Sequence, residues 1–491
     1  MRDDRPAHSL VLSRATASRA SLWASGAEAT RAIYPDASVV REGNATTVRV
    51  IVGAQFGDEA KGKISDFLAA DTRYVVRTGG GPNAGHSIHL PEGALVLHQL
   101  ACGVLRHGVV GVSGPGMVIQ PFKLDAELQE LERRGLLRGE VLLSDRAHVI
   151  LPVHEREDVW EDELRASKNP RAALGTTKSG IGPAYSDRSG RWGIRLGDLA
   201  RPAQLRERLE LLYAAKPYLS DLPAVDELTS QLVEVGSRLA PMIQSTEPIL
   251  WDALARHEPV LLEGAQSALL DVDFGTYPFV TSSHPTSAGA LLGSGIPPTE
   301  VDEVIGVAKA YCTRVGEGPF PTEDSGERGE FLRRVGGERG ATTGRPRRCG
   351  WLDLVMLRYG ARLNGFTGLA ITKVDVLGGL EEIPVCTHYV MPDGTTVRDV
   401  LPTHADDLAN AQPVYEIHPG WPEFHQRLKD RVQREGAAAL PSTLRRYLDR
   451  IVEETGVPVQ YVGYGPDRSE TVALPLPSGP AHRAPIAPWT G

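Results

Sequence analysis

Short apolar segments alternate along the chain with segments rich in glycine and polar residues. The apolar run TVRVIVG at 47–53 ends in glycine, which is typical of a buried parallel strand. A glycine-punctuated turn follows, and then Ile64, Phe67 and Leu68 recur at the spacing of one helical face, which predicts a helix that begins near Lys61. The pattern therefore predicts a strand, a glycine loop and a helix in succession.

The same alternation continues toward the carboxyl terminus. Further strands are predicted at 74–78, 260–263, 304–308 and 369–373, each before a polar or glycine-rich loop, and residues 202–256 carry leucine stripes of helical spacing. Alternating strands and helices predict an α/β fold with a large, mostly parallel central sheet, a P-loop-like glycine loop and helical insertions. In such sheets, ligands bind at the carboxyl ends of the strands.

Composition marks both ends of the chain as different from its centre. Residues 1–46 are rich in Ala, Ser and Arg but lack the apolar core of a secretory signal, so we expect a disordered N-terminal extension. Residues 473–491 form a Pro-rich tail that is also expected to be disordered. The ordered domain is therefore predicted to span 47–472.

Overall composition narrows the classes of function. Of the 491 residues 41% are hydrophobic and the formal net charge is −9, so the chain lacks the basic footprint expected for binding nucleic acid or an anionic membrane. No run of eighteen apolar residues occurs, which argues against a transmembrane helix. The four cysteines are far apart and match no metal-site spacing, which favours the reducing cytoplasm.

The segment GDEAKGK at 57–63 carries the clearest candidate chemistry. It matches the phosphate-binding pattern G-x-x-x-x-G-K, but Ile64 stands where that pattern has Ser or Thr to reach magnesium. Only nine of the 53 basic residues are lysines and two of them lie here, which favours compact charges for a phosphate. Asp58 can supply the missing oxygen ligand for Mg²⁺. The alternative is a tight structural turn with surface lysines.

Two further segments have the composition of ligand sites. Asp375 follows the apolar strand in LAITKVD, where its carboxylate can accept two hydrogen bonds from guanine, although a helix N-cap is the alternative role. The segment ATTGRPRR at 341–348 combines two hydroxyls with three arginines, and the planar groups of Arg345 and Arg347 suit a dicarboxylate or a phosphate. A solvated basic loop is the alternative there.

Eight longer motifs occur in one order along 47–472. They are GDEAKGK, GGGPNAGHS, GTTKSGIGPAY, LLEGAQSALLDVDFGTYPFVTSSH, KAYCTRVGEGPFPTE, ATTGRPRRCGWLD, TKVDVL and GPDR. In this order and spacing the chain resembles the adenylosuccinate synthetase family. The resemblance implies the fold of that family and a GTP-dependent ligation of L-aspartate to IMP through a 6-phosphoryl-IMP intermediate. The products would be adenylosuccinate, GDP and phosphate, in purine biosynthesis.

The resemblance assigns three catalytic residues. Asp58 would remove the N1 proton of IMP, His86 would donate to its 6-oxygen, and Lys61 would contact the transferred phosphoryl group. One Mg²⁺ per subunit would bind Asp58 and the carbonyl of Gly85. The family also implies a homodimer in which Arg191 reaches the 5′-phosphate of IMP in the other subunit.

The resemblance also divides the motif residues among three substrates. GTP would contact Gly57, Asp58, Glu59, Ala60, Lys61, Gly62, Lys63, Gly85, His86, Ser87, Arg347, Lys373, Val374, Asp375, Gly463, Tyr464 and Gly465. IMP would contact Asp58, Lys61, Asn83, His86, Thr177, Arg191, Gln266, Thr281 and Arg345. L-Aspartate would contact Ala341, Thr342, Thr343, Gly344, Arg345 and Arg347.

Five residues depart from the family pattern within its motifs. They are Ala60 and Ser267 in place of glycine, Ser179 in place of arginine, His284 in place of asparagine, and Tyr464 in place of a small residue. If Ala60 needs a positive φ, its methyl group costs about 1 kcal/mol or more. An alternative function is therefore a specialised ligase for a different oxo-purine nucleotide or a different amine donor. A non-catalytic nucleotide binder is a third class, against which the presence of Asp58 and His86 argues.

Overall fold

Strands and helices alternate along the chain, as the sequence pattern predicts. The computed structural model describes residues 47–169, 173–340 and 344–475. The strands within these residues are β1 (Val48–Gly53), β2 (Tyr74–Arg77), β3 (His86–Leu90), β4 (Gly93–Leu97), β5 (Val110–Ser113), β6 (Val118–Ile119), β7 (Glu140–Ser144), β8 (His148–Val149), β9 (Ile243–Gln244), β10 (Val260–Glu263), β11 (Glu303–Lys309), β12 (Cys312–Arg314), β13 (Arg348–Gly350), β14 (Leu352–Asp353), β15 (Gly368–Thr372), β16 (Glu382–Val390), β17 (Thr396–Val397), β18 (Gln412–Pro419), β19 (Val459–Gly463) and β20 (Thr471–Ala473). The α-helices are α1 (Lys61–Leu68), α2 (Pro121–Arg133), α3 (Pro152–Lys168), α4 (Ile181–Gly190), α5 (Pro202–Ala214), α6 (Val225–Leu239), α7 (Glu247–Ala255), α8 (Ser287–Ser294), α9 (Glu327–Gly336), α10 (Leu354–Asn364), α11 (Ala405–Asn410), α12 (Gln426–Glu435) and α13 (Ser442–Thr455).

Ten strands form the central sheet, in the order β20-β19-β15-β11-β1-β10-β2-β5-β7-β9. Neighbouring strands are parallel, except that β20 runs antiparallel to β19. β1 lies near the centre, between β10 and β11. The prediction of an α/β fold with a large, mostly parallel sheet is confirmed, and so is the predicted start of a helix at Lys61.

β1 is buried on both faces of the sheet. Val48, Val50 and Val52 belong to one apolar cluster, whereas Ile51, which points to the opposite face, belongs to another. α1 covers the Ile51 face through Ile64, and α10 contributes to the first cluster. This double burial explains why Val50, Ile51 and Val52 are consecutive apolar residues rather than alternating with polar ones.

Insertions enlarge the framework beside the sheet. The leucine stripes of 202–256 form α5, α6 and α7, and α6 packs on both α5 and α2. Leu124, Leu205 and Leu232 meet in the apolar cluster that these helices share. A smaller sheet forms from β14, β16, β17 and β18. The insertions leave the carboxyl ends of the central strands open for a site.

The expected disordered ends lie mostly outside the described residues. This applies to the whole of 1–46 and to 476–491. β20 extends through Ala473, and the N–H of Leu474 donates to the carbonyl of Gln460 at 2.8 Å, so ordered chain continues slightly past the expected boundary at 472. None of the helices in the described ranges has the length and apolar character needed to cross a membrane.

Candidate active site

A cleft of about 850 Å³ opens at the carboxyl ends of the central strands. The loops that follow β1, β2, β10, β15 and β19 contribute to its walls, as expected for a parallel sheet. Side chains from α3 and α4 line a further wall, and parts of 174–177 and 335–347 complete it.

The loop between β1 and α1 presents its backbone to the cleft. Gly57, Asp58 and Ala60 have φ angles of 95°, 61° and 64°. α1 begins at Lys61 without a side chain that caps its first turn, so the first N–H groups of the helix can bind an anion. Ala60 has a positive φ, a conformation that is unfavourable for a residue with a Cβ atom. Its methyl group therefore strains the loop, at a cost of about 1 kcal/mol.

A buried carboxylate holds this loop in shape. The Glu59 side chain accepts hydrogen bonds from the backbone N–H groups of Gln55 (3.2 Å) and Gly57 (2.8 Å). It also accepts from Lys61 Nζ (2.6 Å) and from Ser267 Oγ (2.5 Å). The Glu59 side chain therefore points into the protein beneath the loop. Its ion pair with Lys61 orients the lysine from the buried side.

His86 lines the cleft and is backed by a buried acid. Its Nδ1 contacts Glu263 Oε1, and Glu263 also accepts from the backbone N–H of Cys102 at 2.8 Å. Burial lowers the pKa of the His86 imidazole, and the Glu263 carboxylate opposes that shift. Burial alone would raise the pKa of Glu263, but His86 and Arg77 lower it, so Glu263 is a carboxylate. The arrangement leaves the Nε2 side of the imidazole for proton exchange with a ligand.

Arg347 connects the glycine loop with a second buried acid. Its Nε donates to Asp58 Oδ2 at 2.8 Å, and its Nη1 donates to Glu338 Oε2 at 2.5 Å. Glu338 also accepts from Lys309 Nζ at 2.9 Å. Burial alone would raise the pKa of Glu338, but Lys309, Lys373 and Arg347 hold it well below the usual range. The ionised Glu338 therefore fixes Arg347 beside Asp58.

Asp375 and Lys63 form the other end of the cleft. Asp375 Oδ1 is buried and has no hydrogen-bond partner, and burial raises the pKa of this carboxyl against the influence of Lys373 and Lys63. Lys63 Nζ donates to the carbonyls of Gly465 (2.5 Å) and Glu470 (2.9 Å), and burial lowers its pKa to about 8. An unpaired buried acceptor at the cleft wall favours a ligand that donates hydrogen bonds.

Most of the residues assigned from the sequence meet in this cleft. Those that line it are Gly57, Asp58, Ala60, Lys61, Gly62, Lys63, Asn83, Gly85, His86, Ser87, Thr177, Gln266, Thr281, Arg345, Arg347, Lys373, Asp375 and Gly465. The assigned residues that are described but do not line it are Glu59, Arg191, Gly344, Val374, Gly463 and Tyr464. Ala341, Thr342 and Thr343 lie outside the described residues.

Two buried acids beneath the cleft were not assigned from the sequence. Glu263 is the last residue of β10, and this place at the carboxyl end of a buried strand is the signal that points to it. Glu338 lies in the loop after α9, where no motif distinguishes it. Glu263 acts on His86, which is distant in sequence, whereas Glu338 acts on Arg347, only nine residues further along the chain.

Four of the five departures from the family pattern do not line the cleft. Ala60 lines it, whereas Ser179, Ser267, His284 and Tyr464 do not. The Tyr464 ring is buried and stacks on Phe424, with a centroid distance of 5.9 Å. Among these five residues, only Ala60 therefore changes the lining of the cleft.

Fold and site together define a class of protein. A glycine loop before a helix N-terminus, with two lysines, provides binding groups for nucleotide phosphates. Asp58 and the His86–Glu263 pair add groups that can exchange protons. The chain is thus an α/β nucleotide-binding enzyme with groups suited to phosphoryl transfer.

Comparison with known proteins identifies the family. The profile of the adenylosuccinate synthetase family matches residues 50–472. The chain is 46% identical to the adenylosuccinate synthetase of Sorangium cellulosum over 434 residues, which cover 87% of this chain and 98% of the relative. It is 44% identical to that of Moorella thermoacetica over 434 residues, with 87% and 99% coverage. The chain belongs to the adenylosuccinate synthetase family, whose members are ligases that form a C–N bond.

Solved structures show the same fold. A fully ligated adenylosuccinate synthetase from Plasmodium falciparum matches with a TM-score of 0.80 and 35% identity, over 88% of this chain and 100% of that chain. A succinoaminodeoxyadenylate synthetase of cyanophage S-2L, bound to dGMP and dATP, matches with a TM-score of 0.55 and 19% identity, over 88% and 97% of the two chains. At that identity the second likeness shows the fold alone.

Replacing Glu263 with Gln tests the electrostatic role of the buried pair. Gln keeps the size of the side chain but removes the charge that opposes the effect of burial, so we expect the pKa of His86 to fall further. The His86 ring can be titrated by NMR of histidine-labelled protein, with its signal identified in the spectrum of His86→Asn.

The control is Glu454→Gln, which removes the partly buried partner of Arg358 away from the cleft. It should leave the pKa of His86 unchanged. An unchanged or raised pKa of His86 in Glu263→Gln would contradict the role given to Glu263.

Proposed function

We propose that this chain ligates L-aspartate to IMP at the expense of GTP, in the purine route to AMP. The observation that carries the proposal is the meeting of the glycine loop, His86, Arg347 and Asp375 in one cleft of a chain of this family. Each group has the chemistry that a different part of the reaction requires. The products are adenylosuccinate, GDP and phosphate.

GTP is proposed to bind between Asp375 and the glycine loop. Guanine offers its N1–H and its exocyclic amine to a carboxylate, whereas adenine presents an unprotonated N1. The unpaired Oδ1 of Asp375 supports this recognition. The phosphates would then lie over the N-terminus of α1, near Lys61 and Lys63, which line the cleft.

IMP is proposed to occupy the part of the cleft nearest His86. Its binding residues would be Asn83, Thr177, Gln266, Thr281 and Arg345, all of which line the cleft. Gln266 Oε1 is buried without a hydrogen-bond partner, which supports a ligand donor at that position.

The first step makes the 6-oxygen of IMP a nucleophile. Asp58 removes the N1 proton, and the 6-oxygen attacks the γ-phosphorus of GTP, so that an O–P bond forms while the bond to the β-phosphate oxygen breaks. GDP leaves. His86 donates a hydrogen bond to the 6-oxygen, where negative charge develops, and Glu263, which contacts Nδ1 of the ring, holds the imidazole in that orientation. Lys61 contacts the transferred phosphoryl group.

The second step replaces the phosphate with aspartate. The amine of aspartate attacks C6 of 6-phosphoryl-IMP, so that a C–N bond forms, the C–O bond breaks and phosphate leaves. Arg345 and Arg347 line the cleft, and their planar guanidinium groups suit the carboxylates of aspartate. Thr342 and Thr343 are proposed to complete the aspartate site.

The oxygen donors at the glycine loop fit Mg²⁺. The side chain of Asp58 is 29% exposed, and both it and Gly85 line the cleft. Carboxylate, carbonyl and phosphate oxygens are the ligands that Mg²⁺ prefers. We propose one Mg²⁺ per subunit, held by Asp58 and Gly85, which would neutralise phosphate charge.

The positions of the departures support IMP and aspartate over the alternative substrates. Four of the five departures do not line the cleft, and the fifth, Ala60, offers only a methyl group. Identity of 46% to an adenylosuccinate synthetase supports the same conclusion. A specialised ligase for another oxo-purine or amine is therefore not favoured.

We propose that the protein is a homodimer and that it acts in the cytoplasm. Arg191 is exposed and does not line the cleft of its own subunit, which supports a role at the IMP phosphate of the other subunit. The four cysteines are buried and unpaired, which supports a reducing compartment.

The direct test is an assay of the purified chain with GTP, Mg²⁺, IMP and aspartate. We expect a nucleotide product that carries the succinyl group, with one GDP and one phosphate formed for each, measured by mass spectrometry and phosphate release. Parallel reactions replace IMP with dIMP, GMP or dGMP and aspartate with other amino acids. Absence of the succinyl product at saturating IMP, together with product from another pair, would refute the proposal in favour of the specialised ligase.

Asp375→Asn tests the recognition of guanine. Asn can donate to the 2-oxygen of xanthine but loses the charge-assisted bonds to guanine, so the preference for GTP over XTP should fall by about 10-fold or more. Relative kcat/KM values for the two nucleotides measure it. Asp393→Asn, in an exposed turn, is the matched control. An unchanged ratio in Asp375→Asn would exclude this role.

Mixing the inactive Asp58→Ala with Arg191→Leu, whose KM for IMP should be raised, tests the shared site at an IMP concentration too low for Arg191→Leu alone. A heterodimer of Asp58→Ala and Arg191→Leu has one site with Asp58 from one chain and Arg191 from the other, so random mixing should restore about a quarter of the wild-type activity. Mixing Asp58→Ala with His86→Asn, whose residues line the same cleft, should restore none. If heterodimers form and the first mixture stays inactive, Arg191 acts within its own chain.

A further inference from the structure

A cluster of two carboxylates and an imidazole lies outside the cleft, on the segment that carries Thr281. His284 Nδ1 is 3.5 Å from Asp271 Oδ2 and 3.6 Å from Asp273 Oδ2. The three ligand atoms lie within 4.8 Å of one another. We propose that Asp271, Asp273 and His284 form a binding site for a divalent transition-metal ion such as Zn²⁺, separate from the Mg²⁺ of the reaction.

Main-chain hydrogen bonds bring the three residues together. The N–H of Thr281 donates to the carbonyl of Leu270 at 2.9 Å, and the N–H of Val272 donates to the carbonyl of Ser283 at 3.3 Å. The two arms of the segment are thus paired next to the cluster. His284 follows one arm and the aspartates lie along the other, so the site is formed by the local fold.

An orphaned acceptor in the cluster points to a ligand. Asp271 is fully buried, and its Oδ1 accepts from the N–H groups of Asp273 (2.9 Å) and Phe274 (3.2 Å). Its Oδ2, on the side of His284, is buried and has no hydrogen-bond partner. A buried carboxylate oxygen without a donor is unfavourable unless a cation compensates it.

The donor set and its spacing suit a transition metal. Imidazole nitrogen combined with carboxylate oxygen favours Zn²⁺ and its neighbours over Mg²⁺ or Ca²⁺, which prefer oxygen alone. Two ligands of tetrahedral zinc, each about 2.0–2.2 Å from the metal, lie about 3.3–3.6 Å apart. The distances from His284 to both aspartates agree with that spacing. Asp273 and His284 are exposed, which leaves the remaining coordination position for water.

The described residues contain one other cluster of potential metal ligands, but its carboxylate already has hydrogen-bond partners within the protein. In the group formed by His86, Cys102 and Glu263, both carboxylate oxygens have protein partners. The Asp271 cluster also contains His284, where the family pattern has asparagine. The site is therefore a feature of this chain, and it does not depend on the proposed reaction.

The test measures Zn²⁺ binding to the full-length chain, prepared without a histidine tag and stripped with a chelator. Zinc is titrated in competition with a coloured chelator, in excess Mg²⁺ to occupy oxygen sites. We expect one Zn²⁺ per chain, and His284→Asn and Asp273→Asn should each weaken its binding by at least about 10-fold. His257→Asn, which replaces an exposed histidine elsewhere at a φ of 55°, should bind as the wild type does.

Substitution with Co²⁺ provides an independent readout. Co²⁺ bound at the site should give visible absorption bands of a low-coordination complex in the wild type and in His257→Asn, and His284→Asn should lose them. Wild-type zinc affinity in His284→Asn, or no zinc bound to the wild-type chain, would overturn the proposal and leave His284 as an ion-pair partner of Asp271.

Discussion

The buried carboxylate of Glu59 is the interaction on which the nucleotide site depends. After β1 the chain must leave the sheet in a tight loop, and the N–H groups of Gln55 and Gly57 then lack partners from regular structure. Glu59 accepts both, and the ammonium group of Lys61 neutralises its charge at 2.6 Å. The same bonds that stabilise the loop therefore also hold the lysine that lines the cleft.

Buried charge pairs extend this principle beneath the whole cleft. Glu338 holds Arg347 next to Asp58, and Glu263 holds His86, in each case with a second basic residue nearby. The ionic groups of the site are thus positioned before any ligand binds. Such preorganisation lowers the cost of orienting charge during reaction, because the groups do not rearrange as the charge develops.

Two of the departures from the family pattern, Ser267 and Tyr464, vary the site without changing its lining. Ser267 replaces a glycine, yet its hydroxyl becomes one of the donors to Glu59. A Cβ on Gly53 would lie 1.9 Å from that hydroxyl oxygen, so the serine is accommodated only because Gly53 has no side chain. The Tyr464 ring, in the loop after β19, is accommodated by stacking on Phe424. In both cases the neighbouring residues accommodate the larger side chain.

The sequence by itself determined the order of strand, glycine loop and helix, the parallel sheet and eighteen of the residues that line the cleft, because apolar periodicity, glycine spacing and family motifs are local features. It did not indicate the acids that support the site. Glu263 contacts His86 across 177 positions in the chain, and Glu338 carries no motif. It also grouped Glu59 and Tyr464 with the ligand-binding residues, and neither of them lines the cleft. Only the tertiary structure decided these points, since the direction of a side chain within a motif depends on segments that are distant in sequence and meet when the sheet is assembled.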